Sequence, residues 1–149
     1  MTLERDWTKV VRDELTARGA LVAVMAANRY TVPGWPDRWV GHRLWTGWLE
    51  LKTEDGVVSA LQAQRVRDIR ARRPGTAWVL RLRGDHWVLQ GADGLDRCEV
   101  RPCGACLLLA LAEMERLETG ESRDDRARAA MRALAESVAG SAWNYRVVG

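Results

Sequence analysis

The chain has 149 residues, of which 47% are hydrophobic and 29% charged, and its net charge is +3. That length and balance describe one folded domain with room for a core, and they exclude a disordered chain. No apolar run approaches a membrane span and the N-terminus lacks a basic region followed by an apolar one, so a soluble cytoplasmic protein with no membrane partner is expected.

Residues 2–18 read as an amphipathic helix, with Leu3, Trp7, Val10, Val11 and Leu15 near helical spacing and Gly19 as a stop. Glu4 sits beside the apolar stripe, where a first-turn acid also suits the helix dipole. Leu21 to Ala26 is a short apolar run that predicts a buried strand. Asn28 to Gly34 reads as a loop punctuated by Pro33-Gly34. Pro36 favours an extended Trp35 and so delivers Asp37 to the start of the next strand. Asp37 to Val40 then form one arm of a hairpin, Gly41-His42-Arg43 the turn, and Leu44 to Thr53 the return arm.

On that return arm a period of 2 places Glu50 and Lys52 on one face and Leu51 on the other. The hairpin brings Asp37 close to both. Two carboxylates and an ammonium in one place make a poor core but a good site for a hard divalent cation. Of the 23 Lys and Arg residues only Lys9 and Lys52 are lysines. Lysine offers a compact charge with a tunable pKa, which guanidinium does not. The plainer readings are a solvated ion pair on an exposed strand for Glu50 and Lys52, and a turn-capping aspartate for Asp37.

Ala60 to Arg73 reads as a second helix with Ser59 as its N-cap and Ala63, Val66 and Ile69 on its buried face. Gln62 points inward with them, and an inward amide needs partners that the carboxylate cluster can supply. Gln64 turns to solvent. Arg65, Arg67, Arg70, Arg72, Arg73, Arg81 and Arg83 stand beside a single acid, Asp68, a local basic field suited to a polyanion. Taken singly, each arginine is equally well a solvated surface residue. Ala77 to Leu82 and His86 to Leu89 alternate as a second hairpin.

Cys98, Cys103 and Cys106 are spaced like part of an iron–sulfur pattern. A fourth thiolate is missing and Cys106 opens an apolar helix, Ala105 to Leu117, so free thiols are expected. That helix carries Leu107, Leu108, Leu109, Leu111, Met114 and Leu117 on more than one face. It should be buried on more than one side, either within the chain or against a second copy. Gly120 to Asp125 is a linker, Arg126 to Val138 a further helix, and Trp143 to Val148 a last strand or a tail.

Three of these stretches, Gly34-Trp35-Pro36-Asp37, Glu50-Leu51-Lys52 and Ser59-Ala60-Leu61-Gln62, resemble the motifs of the PD-(D/E)XK nuclease superfamily, and within it the virus-type replication-repair nuclease (VRR-NUC) domain. The resemblance covers about residues 1–90, and the ordered set is more specific than the Glu-x-Lys pair alone. It implies an α/β fold: a restriction-endonuclease-like core over 1–90, with a mixed central sheet flanked by helices. Residues 91–149 would add a C-terminal helical extension to the same domain.

The implied activity is metal-dependent DNA endonuclease cleavage of phosphodiester bonds. It would be structure-directed, acting on branched, flapped or junction DNA in replication, repair or recombination. The resemblance implies Mg2+ or Mn2+ held by Asp37, Glu50 and the Leu51 backbone carbonyl, with Glu4 matching a helix-borne glutamate that reaches the metal. Lys52 would position or deprotonate the attacking water and Gln62 would orient Lys52 or that water. Arg38, Arg65, Arg70 and Arg73 are the expected DNA contacts. Cutting both strands needs two sites, which a homodimer supplies. The competing classes are a catalytically silent nucleic-acid-binding protein that keeps the fold, and a phage assembly protein whose eight tryptophans make interfaces.

Overall fold

Helix α1 (Leu3–Thr16) forms where the predicted stripe lies, and Trp7, Val11 and Leu15 are buried along it. β1 (Leu21–Val24), β2 (Arg38–Gly41) and β3 (Thr46–Lys52) follow as an antiparallel meander. Helix α2 (Ala60–Arg72) then crosses over, so that β4 (Ala77–Arg83) runs parallel to β3. β5 (His86–Gln90), β6 (Asp96–Val100) and β7 (Tyr145–Val147) continue antiparallel, and the strand order is simply β1 to β7. α3 (Gly104–Thr119) and α4 (Asp125–Ala139) fall between β6 and β7. This computed structural model describes residues 3–25, 33–121, 124–139 and 143–149. The fold is α/β, a mixed sheet flanked by helices.

The sheet has two unlike faces. α1 and α3 cover one, where Leu49, Leu51, Trp78, Leu80, Trp87 and Leu89 meet an apolar layer that includes Leu107 to Leu111. α2 covers part of the other through Val66 and Ile69, which pack on Ala77 with Trp35 and Trp48 alongside. Ser59 caps α2 in a reciprocal box: its hydroxyl accepts from the Gln62 amide at 3.1 Å, and the Gln62 carbonyl oxygen accepts from the Ser59 amide at 2.9 Å.

Several expectations need correction. β1 is not buried: it is an edge strand with Leu21 70% exposed, because α2 does not reach it and only Val22 packs on the main core. β6 has no counterpart in the sequence reading, since Cys98 and Val100 alternate with charged residues in a run too short to stand out. Residues 91–149 therefore contribute two strands of the same sheet as well as two helices. Every residue of α3 from Gly104 to Ala112 is buried, between the sheet, α1 and α4. Its apolar surface is thus accounted for within one chain and leaves little for a second copy.

The cysteines differ from expectation too. Cys103 and Cys106 are joined as a disulfide across the first turn of α3, with Cα atoms 5.3 Å apart, a distance that suits the bond. Cys98 alone is free, and burial pushes its thiol up to about 12. Among the described residues no three His, Cys, Asp or Glu side chains gather as a metal-binding group. No described helix is long and apolar enough to cross a membrane.

Candidate metal and active site

Alternation along β3 sends Leu49 and Leu51 into the α1–α3 core and turns Trp48, Glu50 and Lys52 toward α2. Asp37 arrives beside them because Arg38 pairs with Leu49, so the next position along β2 falls opposite Glu50 and Leu51. One Asp37 carboxylate oxygen accepts from the Leu51 amide at 3.2 Å. A strand residue projects its N–H and C=O to the same side. The Leu51 carbonyl therefore also faces the end of β2, where Asp37 sits.

The loop that delivers Asp37 is docked on α2. Gly34 adopts a left-handed φ of 77°, and a Cβ there would lie 2.6 Å from Leu61 Cγ, so conformation and close approach both call for glycine. Arg65 donates to the Pro33 carbonyl at 3.0 Å and fastens the same loop.

Glu50 is 3% exposed, and its two oxygens live differently. Oε1 accepts from Gln62 Nε2 at 3.0 Å, while Oε2 is buried with no protein partner. Burial first, and then the Asp37 charge, push the Glu50 carboxyl up to about 7, against the pull of Lys52. Burial also raises Asp37, although Arg38, the Leu51 amide and Lys52 all pull it down. Two neighbouring carboxylates that each hold their protons tightly, one with an unpartnered oxygen, make a local field that favours a cation. The donor set is all oxygen: Glu50 Oε2, the Asp37 carboxylate and the Leu51 carbonyl. It fits a hard divalent ion.

No protein-family model matches the chain, and no curated protein sequence matches it. Among solved structures, the chain is similar to Hjc, a Holliday junction resolvase from the archaeal hyperthermophile Archaeoglobus fulgidus. The two share 18% identity with a TM-score of 0.47, over 60% of this chain and 77% of that one.

The structure thus brings Asp37, Glu50, Leu51, Lys52 and Gln62 together. The side chain of Glu4 lies outside the described residues. Gln62 meets Glu50 and not Lys52, since its amide donates to the carboxylate while its oxygen is engaged by the α2 cap.

The expected basic field is smaller than the sequence implies, because acids from distant segments fold back onto it. Arg70 stacks over Trp78 at 4.1 Å and pairs with Glu118. Arg83 bonds both oxygens of Asp96, at 3.0 and 3.3 Å. Arg65 pairs with Asp68, and Arg38 lies 3.5 Å from the Asp37 carboxylate while donating to its carbonyl. Of the four expected DNA contacts, Arg73 is the one whose residue stands exposed.

A supporting residue that sequence reasoning missed is Arg81. It aligns with Lys52 in the parallel ladder and donates to the carbonyls of Thr53 at 2.9 Å and Gly56 at 2.6 Å, gripping the turn that follows Lys52. Gln90 accepts from Arg81 Nε at 3.0 Å and donates to Asp96 at 2.8 Å. Nothing local in the sequence reveals this, because the register of a parallel pair is set across a crossover.

Proposed function

We propose that the chain is a divalent-metal-dependent DNA endonuclease of the PD-(D/E)XK kind, close to the VRR-NUC type. It would be structure-directed and act on branched, flapped or junction DNA in replication, repair or recombination. The observation that carries this reading is the buried Glu50 with its unpartnered oxygen beside Asp37, on the strand face that also bears Lys52. Asp37, Glu50 and the Leu51 carbonyl would hold Mg2+ or Mn2+. The chemistry such an ion supplies is acidification of a water and polarisation of a phosphoryl oxygen.

The chain's own groups do the rest. Lys52, on the same face, orients the attacking water and offsets the negative charge that develops on phosphate. Gln62 fixes one Glu50 oxygen and leaves the other free to coordinate. Arg81 holds the turn after Lys52 and thereby limits how far the ammonium can stray.

The test is cleavage of plasmid, single-stranded, flapped and four-way DNA with Mg2+, Mn2+ or EDTA. Cleavage that needs metal and disappears in Lys52→Ala supports the reading. Full activity in EDTA overturns it.

A further inference from the structure

The carboxylates share their strand face with an aromatic neighbour whose role the cleavage chemistry does not absorb. Trp39 pairs directly with Trp48 across β2 and β3, two residues before the level of Asp37 and Glu50. Two strand residues span about 7 Å, so the tryptophans lie one pleat repeat from the site. They differ in their surroundings. Trp48 is covered by α2 and meets Trp35 edge-on at 5.4 Å, whereas Trp39 belongs to neither apolar core of the described residues. On the same face β1 adds Leu21, opposite Gly41 and 70% exposed. The result is an apolar stretch, exposed at Leu21 and half-buried at Trp39, that runs up to the carboxylates.

Gly41 explains how Trp39 lies there. Its φ is not in the left-handed region, so the backbone does not require glycine. A Cβ at 41 would instead fall 2.4 Å from Trp39 Cη2 and 2.9 Å from Cζ3. The missing side chain seats the benzo end of the indole, so the ring lies along the sheet.

We propose that Trp39 is a stacking platform for an unpaired nucleobase next to the phosphate that a cation held by Asp37 and Glu50 would engage. A flat indole offers a base its π-face, which suits any base and carries no charge for a phosphate. Bases inside a continuous duplex are already stacked on one another and cannot reach it. The substrate class is therefore DNA with an unpaired nucleotide at the cut: a single strand, a flap or a splayed branch point, in preference to a continuous duplex. This rests on the nuclease reading for its substrate but not for its test, which reads binding.

The experiment places 2-aminopurine in single-stranded, flapped and fully duplex oligonucleotides and titrates them with the protein in EDTA and in Ca2+. Trp39→Leu keeps apolar cover, Trp39→Phe keeps an aromatic face, and Gly41→Val displaces the ring while leaving it in the chain. The expected result is a loss of about tenfold in affinity for single-stranded and flapped DNA in Trp39→Leu and Gly41→Val, with the 2-aminopurine quench lost. Trp39→Phe should retain most of both, and duplex binding should not change. Equal losses on duplex and unpaired DNA, or unchanged binding and quench in Trp39→Leu, would overturn the platform. Selective binding in a protein that cleaves nothing in Mn2+ would leave the platform standing and remove the nuclease reading alone.

Discussion

On β3, adjacent residues sit in two different environments. Leu49 and Leu51 enter a layer in which nearly every neighbour is apolar, shared with α1 and α3. Trp48, Glu50 and Lys52 face α2, where a short apolar seam gives way to Gln62, Arg81, Gln90 and Asp96. The first face holds the fold together by burial, which is non-directional and tolerant. The second holds charged groups in partial burial, which is unfavourable unless each finds a partner. One such group, Glu50, is left half-partnered. The same strand thus stabilises the molecule with its odd positions and gathers incompletely partnered charge with its even ones.

The sharpest way to separate the two faces is to remove one side chain from each and compare rate with stability. Lys52→Ala should lower Mn2+-supported cleavage about 1000-fold, in the range for loss of a group that stabilises developing charge, with little change in melting temperature. A wild-type rate in a plasmid-nicking assay would take Lys52 out of the site. Leu108→Ala, on the apolar side and fully buried, should show the reverse pattern. It should lose about 3 kcal/mol in urea denaturation, and the folded fraction should keep its specific activity.

Glu50→Gln tests whether the polar face is held at a loss. The folded carboxyl titrates near 7 against an ordinary 4.5, so folding favours the protonated form. The penalty is fully present above pH 7, shrinks as pH falls through that value, and is absent below about 4.5. In metal-free protein Glu50→Gln should therefore be more stable than wild type by about 3 kcal/mol at pH 8, with no difference at pH 4. Urea midpoints at the two pH values decide it, and a loss of stability at pH 8 would mean that the carboxylate is better partnered than its geometry shows. The smallest effect belongs to Ser59→Ala, which removes half of the capping box and should lower stability by about 1 kcal/mol. Mn2+ affinity by calorimetry should change little, since the Ser59 backbone N–H that holds the Gln62 side-chain oxygen survives the substitution. A large loss of Mn2+ affinity would mean that the hydroxyl itself couples the cap to the site.

What was legible in the sequence was what short-range periodicity controls. The spacing of Glu50 and Lys52, the inward turn of Gln62 and the punctuation around Pro36-Asp37 all act within one element or one turn, and the structure brings those residues together. What was not legible came from segments far apart in the chain. Arg70 looked free until Glu118 folded against it, as did Arg83 until Asp96 did. Arg81 read as one more arginine of the basic field before β4 was laid parallel to β3. β1 read as buried because its residues are apolar, but burial depends on which helix reaches a strand, and none reaches its outer part. Cys103 and Cys106 read as free thiols, and their disulfide depends on a turn geometry that spacing does not specify.

Gln62 is a single side chain answering to two neighbours at once, and this narrows the choice of residue at that position. Its oxygen accepts from the Ser59 amide while its nitrogen donates to Glu50. Glutamate would keep the helix start but bring a further negative charge to a carboxylate already short of cations. Lysine would satisfy the carboxylate and lose the cap, having no acceptor. Asparagine has both functions but is one methylene shorter. A substitution at position 62 therefore meets two filters at once, one set by the helix start and one by the carboxylate.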